Sequence, residues 1–134
     1  MKKTKLVLDT KILVYGINEE SEYFDKIRKV LDDNRYSFYV TTKTISEFVS
    51  VLSKLKKYDI IETELPTILN RFKILFPSMK SILIFRKLIE KYKPIGNRVF
   101  DIEIVSVMLS KKLKDLFSFN RTDFESIEEI ELMD

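Results

Sequence analysis

Histidine and cysteine are both missing from the 134 residues of this chain, and the two absences close most of the familiar routes to hydrolysis. Without histidine there is no imidazole general base, no Ser-His-Asp triad and no ordinary zinc site. Without cysteine there is no disulfide framework, no thiolate metal centre and no thiol nucleophile, and composition speaks to redox compartment only by being compatible with the cytosol. Two glycines and three prolines leave little material for long loops. No apolar run approaches the length that spans a bilayer, and the lysines near the start precede no signal-peptide core. The sequence therefore predicts a soluble cytoplasmic protein without a membrane partner. Chemistry in such a chain must run on carboxylates, lysines, tyrosines or a hard metal ion held by oxygen.

What is present is enough for one core, and residues 1–134 are expected to form a single domain. A formal net charge of +3 leaves the chain basic despite 21 acids, too small an excess to establish a nucleic-acid partner by itself. Leu6-Val7-Leu8-Asp9-Thr10 is a short apolar run free of Gly and Pro, ahead of a helical pattern, and reads as a buried parallel strand that delivers Asp9 at its end. Phe24, Ile27, Val30 and Leu31 make one face of a helix behind Ser21 as its cap. Tyr36 to Thr42 is aromatic and β-branched enough for a second strand. The helix after it carries Phe48, Val49, Leu52 and Leu55 and ends in Lys54, Lys56 and Lys57, which read as an exposed helix end. Glu64-Leu65-Pro66 suggests a helix start, Lys73 to Phe76 a third strand closed by Pro77, and Ser78 to Tyr92 a helix with Ile82, Phe85, Leu88, Ile89 and Tyr92 inward. Arg98-Val99-Phe100-Asp101 opens a helix patterned by Ile104, Val105, Met108, Leu109 and Leu113. Leu116 to Asn120 is a fourth strand, and the segment around Ile127, Ile130 and Leu132 is an edge strand or a loose tail. Strands alternating with helices predict an α/β fold, a small parallel sheet flanked by helices on both faces.

Asp9, Glu47, Asp101 and Asp123 each fall where a strand or loop gives way to a helix or turn. In a parallel sheet those positions converge on one edge, and the crevice beyond the strand ends is where ligands sit. Three of these acids also have a plain structural explanation. Asp9 and Asp101 can cap helices, and Thr44 with Glu47 fits a capping box; taken singly, Asp9 and Glu47 are better explained that way. Taken together, four carboxylates in one cleft repel one another unless a cation joins them. Mg²⁺ and Mn²⁺ accept oxygen ligands and suit phosphate substrates, and one or two such ions support phosphodiester hydrolysis without histidine or cysteine.

Val7-Leu8-Asp9-Thr10-Lys11-Ile12-Leu13-Val14-Tyr15, Thr44-Ile45-Ser46-Glu47-Phe48, Val99-Phe100-Asp101-Ile102-Glu103-Ile104-Val105 and Ser118-Phe119-Asn120-Arg121-Thr122-Asp123-Phe124 resemble, in order and spacing, the successive signatures of the PIN-domain family. The resemblance implies a three-layer α/β/α fold and Mg²⁺- or Mn²⁺-dependent endoribonuclease activity. It further implies a homodimer and, as in many single-domain members, a VapC-type toxin neutralised by a cognate antitoxin. By position, Asp9, Glu47 and Asp101 match the family's acidic ligands. The fourth place falls to Asp123, or to Asn120, which stands where some members carry an acid and otherwise serves as a polar helper. Thr10 and Ser118 match hydroxyl residues of the motifs. Lys11, Lys43, Arg98 and Arg121 are candidate contacts to RNA phosphates, although a solvated charge is the simpler explanation of any one of them, and Tyr15, Tyr39 and Phe119 are more simply core than base-stacking platforms. The alternatives are an RNA-maturation nuclease with the same site, and a non-catalytic RNA- or partner-binding module whose acidic cluster is degenerate at Asn120.

Overall fold

The computed structural model describes residues 2–134. In chain order its elements are β1 (Thr4–Leu8), α1 (Thr10–Gly16), α2 (Phe24–Leu31), β2 (Tyr36–Thr41), α3 (Thr42–Lys54), α4 (Tyr58–Arg71), β3 (Lys73–Leu75), α5 (Met79–Tyr92), α6 (Arg98–Ser110), β4 (Asp115–Phe117), α7 (Arg121–Phe124) and β5 (Glu131–Met133). The strands form one sheet in the order β3-β2-β1-β4-β5, and every pairing is parallel. Parallel neighbours need a crossover between them, which is why a helix or a longer connection separates each strand from the next.

The sheet is covered on both faces, and the side chains of its central strand say so. Leu6 and Leu8 enter one core with Val40 and Phe117, beneath Ile12, Ile27, Phe48, Ile61 and Ile68 of α1 to α4. Val7 points the other way and joins Tyr39, Leu116, Leu88 of α5, Ile102, Val105 and Met108 of α6, and Phe124 of α7. A strand buried on both sides has no polar face to show, so β1 is apolar from Leu6 through Leu8, after Thr4 and Lys5 at its exposed start. The α/β/α layering matches the expectation from sequence. No helix among the described residues is long and apolar enough to cross a membrane.

Several boundaries differ from those the sequence suggested. The second helix begins at Phe24, and Ser21 sits before it, its hydroxyl accepting the Tyr23 N–H. α4 starts at Tyr58 and carries Pro66 in its interior, where the exposed surface tolerates the missing hydrogen bond better than a core position would. On α5, Leu88 is buried and Phe85, Ile89 and Tyr92 pack against the same core as expected, whereas Ile82 is 55% exposed. β4 ends at Phe117, short of Asn120, although the Ser118 N–H still donates to the Met133 carbonyl of β5 at 3.0 Å. The segment after α7 pairs as the edge strand β5, with Leu116 opposite Leu132.

Candidate active site

The strand order reverses beside β1: the chain lays down β2 and β3 on one side, then crosses back to place β4 and β5 on the other. At such a switch point the crossover helices diverge and leave a crevice at the strand ends. Asp9 leaves β1 there and is only 5% exposed. Its Oδ1 accepts the Thr10 N–H at 2.8 Å and its Oδ2 accepts the Ser118 hydroxyl at 2.8 Å. It is therefore the cap of α1 and the floor of the crevice at once. Ser118 in turn accepts the Asn120 N–H at 3.0 Å, a chain of bonds that ties the end of β4 to the end of β1.

The other acids come from helices that border this crevice. α3 is capped by Thr41, whose hydroxyl accepts the Thr44 N–H at 3.1 Å. Glu47 thus lies beyond the first turn and has no capping duty; the Thr44–Glu47 capping box does not form. Its Oε1 instead accepts the Thr10 hydroxyl at 3.3 Å. Asp101 sits in the first turn of α6, whose cap position is Asn97, so it does not cap either. Asp123 lies in α7, where Asn120 donates to its Oδ2 from Nδ2. Arg98 approaches its Oδ1 at 3.7 Å and donates to its main-chain carbonyl at 3.3 Å. Asp9, Glu47, Asp101 and Asp123 all line one open cleft of about 660 Å³.

Crowding of like charge shows in the proton affinities. Burial pushes the Asp9 carboxyl up. Burial also raises Glu47, against the opposing pull of the Lys43 ammonium. The Asp101 carboxyl is pushed up to about 7, first by burial and then by the charges of Asp9, Asp123 and Glu47. The acids are thus close enough to feel one another, and a cation in the cleft would relieve the repulsion. Among the described residues no three acids form a ready-made group that holds an ion. Their oxygens are turned to protein partners instead, Asp9 to Ser118, Glu47 to Thr10 and Asp123 to Asn120. The donor set is carboxylate and hydroxyl oxygen. That chemistry fits Mg²⁺ or Mn²⁺, which keep coordination water and need only one or two direct carboxylates.

Of the basic residues expected near phosphates, Lys11, Lys43 and Arg98 line the cleft. Arg121 is a correction: it does not line it, and its guanidinium pairs with Asp134 at 2.8 Å and lies 3.9 Å from Glu125. Lys54, read as a plain helix end, does line it, together with Ser46 and Ser50 on α3 and with Asn97 and Phe100. Steps of four, three and four from Lys43 through Glu47 and Ser50 to Lys54 trace one helix face, a signal present in the sequence once Glu47 is taken as the reference.

A family model described as PIN domain matches residues 6–130. Among solved structures the chain is similar to VapBC2 from Rickettsia felis, solved bound to a DNA fragment from the promoter, at 25% identity, TM-score 0.75, over 97% of this chain and 98% of that one. VapBC-1 from nontypeable Haemophilus influenzae matches at 21% identity and TM-score 0.75, over 98% of each chain. VapC20 from Mycobacterium tuberculosis, a sarcin-ricin loop cleaving toxin, matches at 11% identity and TM-score 0.77, over 96% of this chain and 99% of that one. No curated protein sequence matches the chain significantly.

Proposed function

The chain belongs to the PIN-domain family, and from that membership we propose that it is a Mg²⁺- or Mn²⁺-dependent endoribonuclease, the toxin of a VapBC-type toxin-antitoxin pair. The observation that carries this reading is the convergence of Asp9, Glu47, Asp101 and Asp123 on one cleft at the strand-order switch point, with the Asp101 carboxyl raised to about 7 by burial and by the other three. In this reading the four acids hold the metal. When bound, a divalent ion supplies an activated water and neutralises charge on the phosphodiester. The chain's own contribution is positioning. Ser118 and the Thr10 N–H fix the Asp9 carboxylate, the Thr10 hydroxyl holds Glu47, and Asn120 holds Asp123. Lys11, Lys43 and Arg98 offer positive charge to backbone phosphates, which binds RNA with little sequence choice.

The same reading makes residues 1–134 one nuclease domain acting in the cytoplasm, with a cognate antitoxin and a second copy of the chain as partners. The solved relatives from Rickettsia felis and Haemophilus influenzae are VapBC proteins, and Phe76, Met79, Ile82 and Leu83 are exposed apolar side chains on this chain, the kind of surface that partners cover. The test is a cleavage assay on structured and unstructured RNA with Mg²⁺, Mn²⁺ or chelator. Wild type should cut with Mn²⁺ and not with chelator, and Asp9→Asn should not cut at all; wild-type turnover in Asp9→Asn removes Asp9 from the mechanism. A second reading, a binding module, is favoured by the lack of a ready-made ion-holding group among the described residues, and it predicts RNA binding without cleavage in every condition.

A further inference from the structure

The cleft contains one feature that metal chemistry does not explain. Phe100 stands immediately before Asp101 on α6, lines the cleft and remains 37% exposed. The other side chains that line it are mostly charged or hydroxylated, so an aromatic ring there costs solvation without joining either core. From α3, Lys43 lays its ammonium 3.8 Å from the centroid of that ring. Lys43 precedes Glu47 by one helical turn, and its charge lowers the proton affinity of that acid. The ring and the ammonium therefore come from two different helices, α6 and α3, and meet beside the acids.

Resting on the nuclease reading above, we propose that Phe100 and Lys43 form a stacking subsite for an unpaired nucleotide of the RNA: the ring takes the base and the lysine its neighbouring phosphate. An aromatic face accepts any base, which gives affinity with little sequence preference. It accepts only a base withdrawn from a duplex, so the subsite selects single-stranded or looped RNA. The cation-π contact holds the lysine over the ring until RNA arrives, when a phosphate offers the ammonium a stronger partner. Phe100 is in this view a specificity-determining residue that leaves the acids to the chemistry.

The experiment uses the whole chain and short single-stranded RNA oligonucleotides, intact or with abasic positions. Affinity is read by fluorescence anisotropy in Ca²⁺, with gels confirming that the RNA stays uncut. Wild type should bind the intact oligonucleotide about tenfold more tightly than the abasic one. Phe100→Leu should bind both alike, at the abasic level, and Phe100→Tyr should recover the discrimination; thermal melts of each variant establish that it is folded. In Mn²⁺ cleavage assays Phe100→Leu should raise KM and leave kcat near wild type. Wild type that cuts RNA while Phe100→Leu keeps the same preference for bases overturns the subsite and leaves the nuclease standing. Wild type that binds with the base preference but never cuts supports the subsite and overturns the nuclease. Absence of any RNA binding overturns both.

Discussion

Asp101 is the residue at which the electrostatics of this fold are most exposed to measurement. Its carboxyl shifts from an ordinary 3.8 to about 7, driven up first by burial and then by the charges of Asp9, Asp123 and Glu47. Between those two values the folded chain holds a proton that the unfolded chain gives up. Its stabilising contribution is therefore complete below pH 3.8 and lost as pH rises through about 7. In metal-free buffer, urea unfolding should show wild type less stable at the upper end of this window than at the lower. Asp101→Asn should flatten the slope without abolishing it, since Asp9 and Glu47 are raised in the same direction. Lys43 and Arg98 also line the cleft, and the Lys43 ammonium opposes the rise at Glu47. Parallel slopes in the two proteins would show that Asp101 titrates as an ordinary surface acid. That these four acids meet in one cleft was legible at this scale because each stands near an expected element boundary in the sequence. What was not legible is that Asp9 serves as cap and cleft floor together, for that depends on Ser118, far along the chain.

α3 shows what one element contributes and how far local pattern reaches. Its apolar stripe, Phe48 and Leu52 buried in the core, was plain in the sequence at helical spacing. Its starting point was not: Thr41, Thr42 and Thr44 are all competent caps by composition, and the choice of Thr41 is made by where β2 stops pairing with β1 and β3. That single displacement moves Glu47 off capping duty and onto the cleft face with Lys43, Ser50 and Lys54. β4 was overestimated for a similar reason, since Ser118 looks like strand residue until its hydroxyl is found on Asp9. Thr41→Ala removes the hydroxyl that accepts the Thr44 N–H and should lower unfolding stability by about 1 kcal/mol, as loss of a helix cap generally does. It should slow RNA cleavage far less than Asp9→Asn, because Glu47 keeps its bond to Thr10. Loss of cleavage equal to that of Asp9→Asn, in a protein that still melts cooperatively, would mean that the register of α3 sets the catalytic geometry.

At the scale of the whole molecule, the alternation of strands and helices made the layered α/β fold readable, while the order of strands was fixed by tertiary packing and had no local signature. That order is what brings acids from β1, α3, α6 and α7 to one rim. An ion bound only by the assembled rim must stabilise the folded chain by mass action. Mn²⁺ should accordingly raise the melting temperature of wild type, and raise it less in Asp101→Asn; equal shifts would take Asp101 out of the ligand set. The central position of β1 has a further consequence for how such a protein is made. On the ribosome, a chain whose residues beyond Phe100 have not yet emerged holds Asp9 and Glu47 but lacks Asp101, Asp123 and the β4 strand that seats Ser118 against Asp9. The rim closes last, and a copy that has emerged only as far as Phe100 cannot yet gather its four acids.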